Sequence, residues 1–84
     1  MNIRKAHQFS NNVIDVLVEE RQKLCISRYK ISQLSGISEA ALIYIENHER
    51  HPTLSTLKQI ASALNINLYE IIKKVEDNTN NTNP

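Results

Sequence analysis

The chain has 84 residues, with ten Lys and Arg against nine Asp and Glu, one cysteine and a formal net charge of +1. That length holds one domain, and eleven Ile, eight Leu and four Val supply a small core, which argues against wholesale disorder. The lone Cys25 excludes an internal disulfide and a cysteine-rich zinc site, and points to a reducing cytoplasm. No apolar run approaches the roughly 20 residues of a membrane helix, so no membrane partner is expected.

One glycine and two prolines, with apolar spacings of three and four throughout, predict an all-α domain. Residues 1–10 read as an N-terminal arm. Val13, Ile14, Leu17, Val18 and Leu24 predict a first helix from about Asn11 to Leu24, capped by Ser10 or Asn11, with Cys25 a buried thiol at its end. Ser27 opens a second helix that carries Ile31 and Leu34 and stops at Ser35 and Gly36. Ser38 opens a third, with Ala41, Leu42 and Ile45 inward as far as Glu46 or Asn47. Pro52 and Thr53 start a fourth along Leu54, Leu57, Ile60, Ala61 and Leu64, ended by Asn65, a residue that tolerates the left-handed cap. Asn67 and Glu70 resemble a capping box for a fifth, running through Leu68, Ile71, Ile72 and Val75 to about Lys74. The domain therefore spans 11–76, and residues 77–84, with nothing apolar to bury, read as a disordered tail.

The second and third helices carry the functional signal. Counted from Arg28, RYKISQLSGISEAALIYI places Ile31 fourth, small Ser32 fifth, Gly36 ninth, Ile37 tenth, Leu42 fifteenth and Ile45 eighteenth. Two short helices crossing at about 90–120° need a small residue where they touch, a glycine able to turn with positive φ, and apolar residues on inner faces only. The only glycine of the chain sits at that turn.

With its flanks, the sequence resembles the Cro/repressor-type, or XRE, family of helix-turn-helix proteins from about Val13 to Ile72. The most telling pieces are KISQLSGIS (Lys30 to Ser38), YIENHERHPTLSTLKQIASAL (Tyr44 to Leu64) and NINLYEII (Asn65 to Ile72). The resemblance implies a compact five-helix, lambda-repressor-like domain whose third helix enters the major groove while the second crosses the phosphate backbone. The face presented to DNA is then Ser38, Glu39, Ala40, Ile43, Tyr44 and Asn47. Family members often carry Gln, Arg, Ser or Thr at the leading positions, where this chain has an acid followed by two alanines. Glu39 either accepts from cytosine N4 or only complements the positive end of its own helix, while Ala40 and Ile43 suit a thymine methyl group. Tyr44 is a base or phosphate contact, or a half-buried structural tyrosine.

The resemblance also implies phosphate contacts: Arg28, assisted by Lys30, at the start of the second helix, and Asn47, His48, Arg50 and Lys58 around the start of the fourth. Arms such as the one carrying Arg4 and Lys5 enter a minor groove or touch phosphate in related proteins; the alternative for an arm this short is disorder. Glu46 is expected to tie the third helix to the following loop through Arg50 or loop amides.

His7, His48 and His51 lack metal-ligand spacing, so no metal or other cofactor is expected, and no nucleophile-and-base spacing or glycine-rich phosphate loop supports an enzyme. Tyr69, Ile72 and Val75 form an apolar surplus that predicts a homodimer, with recognition helices about 34 Å apart on a palindromic operator. The expected function is a sequence-specific regulator of double-stranded DNA, a repressor by promoter occupancy. The alternative is a protein-interaction module of the same fold, antitoxin-like or an anti-repressor partner.

Overall fold

A side-chain oxygen stands at the start of each of the five helices. The structure, a computed structural model, describes residues 1–81 and contains no strand among them; its helices are α1 (Ile3–Lys23), α2 (Arg28–Ser35), α3 (Glu39–Glu46), α4 (Leu54–Ala63) and α5 (Leu68–Asn81). The Asn2 side chain accepts from the Lys5 amide at 2.9 Å, Ser27 from Lys30 at 3.1 Å, Ser38 from Ala41 at 3.1 Å and Thr53 from Thr56 at 3.2 Å. Each satisfies one of the amides that a first turn leaves without a helical partner. Ahead of α5, the Asn67 carboxamide accepts from the Tyr69 amide at 3.1 Å.

Helix ends are closed by left-handed residues. Gly36 has φ 81° and donates its N–H to the Ser32 carbonyl at 2.9 Å. The ends of α1, α3 and α4 place Cys25, His48 and Asn65 at φ 56°, 64° and 57°. In each, the left-handed residue donates three positions back and its successor five: Cys25 to Gln22 and Ile26 to Arg21, His48 to Ile45 and Glu49 to Tyr44, Asn65 to Ser62 and Ile66 to Ala61, at 2.8–3.0 Å. This double closure is the Schellman motif. It also corrects the expectation for Cys25, which is exposed, because the left-handed position turns it away from the core that its neighbour Ile26 joins.

The core takes Val13, Ile14 and Leu17 from α1, Ile31 from α2, Leu42 and Ile45 from α3, Leu57, Ile60 and Ala61 from α4, Leu64 after it, and Leu68, Ile71 and Val75 from α5. α1 packs against α3, α4 and α5, and α2 against α3 and α4, so the two short helices rest on a platform of longer ones.

Two boundaries and one burial differ from the sequence reading. The first helix begins at Ile3, so residues 3–10 are helical rather than an arm, Arg4 and Lys5 lie on its first turns, and Ser10 and Asn11 are interior positions. Asn2 provides the cap, and Phe9 packs against the core. α5 continues past Lys74 to Asn81, helped by Lys73 donating to Asp77 four residues on at 2.8 Å. The hydrogen bond to Asp77, then its charge, raises the Lys73 ammonium above its ordinary value. Of the expected tail 77–84, residues 77–81 are therefore helical and 82–84 lie outside the described residues. Finally, Val75 is buried at 5% exposure and belongs to the protein's own core, one turn beyond Ile71 on the inward stripe of the extended helix. The apolar surplus on α5 reduces to exposed Tyr69 and partly buried Ile72.

Candidate nucleic-acid interface

Two residues anchor α3 and leave its other side open. Leu42 and Ile45 are buried, whereas Glu39, Ala40, Ile43, Tyr44 and Asn47 are exposed, as is the cap Ser38. A 3.6-residue period puts Glu39, Ala40, Ile43, Tyr44 and Asn47 opposite Leu42 and Ile45, so these candidate side chains share one accessible face, with the cap Ser38 exposed at its leading end. That face carries no lysine or arginine, and Glu39, in the first turn, makes no hydrogen bond or ion pair among the described residues. The turn that aims α3 depends on Gly36. A Cβ there would meet nothing within 4 Å, so the requirement is its positive φ and not space.

Charge at the rim is organised around Glu46, which is only 11% exposed. Arg21 grips it with two bonds, Nε to Oε2 at 2.9 Å and Nη2 to Oε1 at 3.0 Å, and donates Nη1 to the Ile26 carbonyl at 3.1 Å. Arg28 adds Nε to Oε1 at 2.7 Å. The expected partner Arg50 is elsewhere: its guanidinium lies 4.6 Å from the centroid of the Tyr44 ring, a cation–π arrangement. Glu46 thus points back toward α1 and α2, where two guanidinium groups bond it while Arg50 stays over Tyr44.

Of the candidate phosphate contacts, Arg28 leans on Glu46 with 42% of its side chain exposed. His48 is engaged by Asp15 of α1, Nε2 to Oδ1 at 2.7 Å. Asn47 caps α3, and Lys58 lines a shallow groove with Leu34 and Ser35 at the end of α2. Lys30 is exposed on α2. The structure thus brings Tyr44 and Arg50 together and leaves Lys58 one helical turn beyond the start of α4.

Sequence reasoning missed Arg21, Asp15 and the contact between His7 and His51, whose rings stack with centroids 3.7 Å apart. Arg21 and Asp15 meet partners 25 and 33 positions away, beyond any local spacing rule. The described residues contain no group of three or more His, Cys, Asp or Glu arranged to hold a metal ion. No helix among them is long and apolar enough to cross a membrane.

Two short helices joined at a left-handed glycine, the second with a free outer face and both seated on a helical platform, define the helix-turn-helix class of DNA-binding domain. The family model described as helix-turn-helix matches residues 17–71, well over half of the chain. The chain belongs to this XRE-type helix-turn-helix family, a family of DNA-binding transcription regulators. No curated protein and no solved structure matches it.

Proposed function

We propose that the protein is a sequence-specific regulator that binds a palindromic operator in the cytoplasm as a homodimer and represses by occupying a promoter. The observation that carries this reading is the uncovered face of α3, where Ser38, Glu39, Ala40, Ile43 and Tyr44 stand clear of the core. Ser38 and Glu39 would meet polar base edges, Ala40 and Ile43 thymine methyl groups, and Tyr44 a base edge or a phosphate. Arg28, Asn47, His48, Arg50 and Lys58 would supply sequence-independent phosphate contacts. Tyr69, 65% exposed, and Ile72 support a two-fold interface along α5, which would set the recognition helices about 34 Å apart.

Selection of bound sequences from a random duplex pool at fixed salt tests the reading, since one experiment reports sequence preference, half-site spacing and symmetry. Recovered sites with two inverted half-sites about 10 base pairs apart are expected. A pool that returns no enriched sequence excludes sequence-specific regulation.

A second reading rests on the chemistry of the same face. Ala40, Ile43 and Tyr44 with acidic Glu39 and no cation from α3 itself also suit a protein surface, as in an antitoxin-like or anti-repressor module. Under that reading the protein shifts no duplex even at low salt.

A further inference from the structure

We infer that Glu46 is a positioning residue for DNA binding: it fixes Arg28 so that the outer part of its guanidinium meets a phosphodiester oxygen. The inference rests on the regulatory reading above and concerns how its backbone contact is made. Arg21, Arg28 and Glu46 form a three-membered ionic cluster where α1, α2 and α3 converge, with two cations against one anion. Arg21 is spent inside the protein, since its Nε, Nη1 and Nη2 all donate to Glu46 or to the Ile26 carbonyl and its side chain is 14% exposed. The surplus positive charge therefore reaches solvent through Arg28 alone.

Arg28 donates only its Nε to Glu46, at 2.7 Å. Its Nη1 and Nη2 make no hydrogen bond among the described residues, which leaves a planar, permanently charged donor edge on a side chain whose inner end is already held. A free surface arginine loses rotamer freedom when it grips a phosphate; this one has lost much of it on folding, which favours association. No acidic residue occupies the first turn of α2 to compete for that edge. Neither neighbouring cation offers the same arrangement: the Lys30 ammonium has no hydrogen-bonding partner among the described residues, and Lys23 pairs with Glu20 on an exposed surface.

The test is sharp in sign. Glu46→Gln removes a negative charge near DNA, so simple electrostatics calls for tighter binding; loss of positioning calls for weaker binding. Affinity of the full chain for a mixed-sequence 30-base-pair duplex is measured across salt, with circular dichroism establishing that each variant is folded. The expected result is that Glu46→Gln weakens binding about three- to ten-fold, that Arg28→Ala lowers the salt slope by about 0.9, and that Glu46→Gln adds nothing in the Arg28→Ala background. Unchanged or tighter binding by folded Glu46→Gln overturns the inference while leaving DNA binding intact. If Glu46→Gln does not fold, Arg28→Lys asks the same question, because an ammonium must bring both anions to one nitrogen whereas the guanidinium gives Nε to Glu46 and keeps its Nη edge for a phosphate; wild-type affinity for Arg28→Lys then overturns it. A wild-type protein that binds no duplex at low salt overturns both this inference and the regulatory reading.

Discussion

Arg21 of α1 and Glu46 at the end of α3 meet through two parallel hydrogen bonds of 2.9 and 3.0 Å, although 25 positions separate them. The pair is largely withdrawn from water, so each charge depends on the other. Removing one partner of such a pair leaves an uncompensated charge, and Arg21→Met is expected to cost about 3 kcal/mol in urea unfolding, the low end of the range, because Arg28 still reaches the carboxylate. Arg28→Met removes a far more exposed partner and should cost less than about 1 kcal/mol. Equal losses for the two would contradict the unequal burial of the two guanidinium groups.

Left-handed positions give a matched pair of opposite signs. Gly36→Ala adds a Cβ with free space around it but in a strained conformation. The strain of about 1–2 kcal/mol exceeds the roughly 0.5–1 kcal/mol gained by restricting the unfolded chain, so a net loss near 1 kcal/mol is expected. Cys25→Gly relieves the same strain at an exposed site and should raise stability by about 0.5–1 kcal/mol. Thermal melts of both variants beside the wild type decide it, and a melting temperature lowered by Cys25→Gly would refute the argument.

α5 offers a contrast between an inward and an outward residue. Val75→Ala deletes two buried methyl groups and should cost about 2 kcal/mol. Tyr69→Ala, at a largely exposed position, should change the stability of the folded unit by less than about 0.5 kcal/mol. Sedimentation of the same two proteins reads self-association, where the proposed interface makes Tyr69→Ala the variant that dissociates.

The start of α1 is part of the domain. Deleting residues 2–10 removes the Asn2 cap, the packing of Phe9 and the stacking of His7 on His51. The partly buried phenyl ring contributes a fraction of the roughly 1.5–3 kcal/mol of a fully buried one and the cap adds about 1 kcal/mol, so the truncated chain is expected to melt below the full one. An unchanged melting temperature would mean that these residues are a dispensable arm.

What could be read from the sequence had its cause within three or four residues. Ser27, Ser38 and Thr53 bond to amides three positions ahead, and Gly36 has its left-handed conformation through a bond four positions back, so local pattern finds them. The opposed faces of α3 follow from helical period alone, which made its exposed set legible too. The start of α1 was not, because Ala6 and Phe9 are the only apolar residues on its first turns that are even partly buried and no stripe announces a helix before Val13. Cys25 misled for a similar reason: its apolar neighbours suggest burial, whereas the backbone geometry that closes α1 turns it to solvent. The partners of Glu46 lie on α1 and α2 and that of His48 on α1, and nothing short of the folded arrangement shows which of several cations and acids will reach them.

That α3 contributes no cation of its own to its outer side, the guanidinium over Tyr44 coming from Arg50 of the loop, divides labour between discrimination and adhesion. On the regulatory reading, ions in solution compete with contacts common to every duplex, while methyl packing and neutral or acceptor contacts to base edges are spared. Raising ionic strength should then loosen preferred and arbitrary sequences in equal proportion, so that selectivity stays constant as occupancy falls.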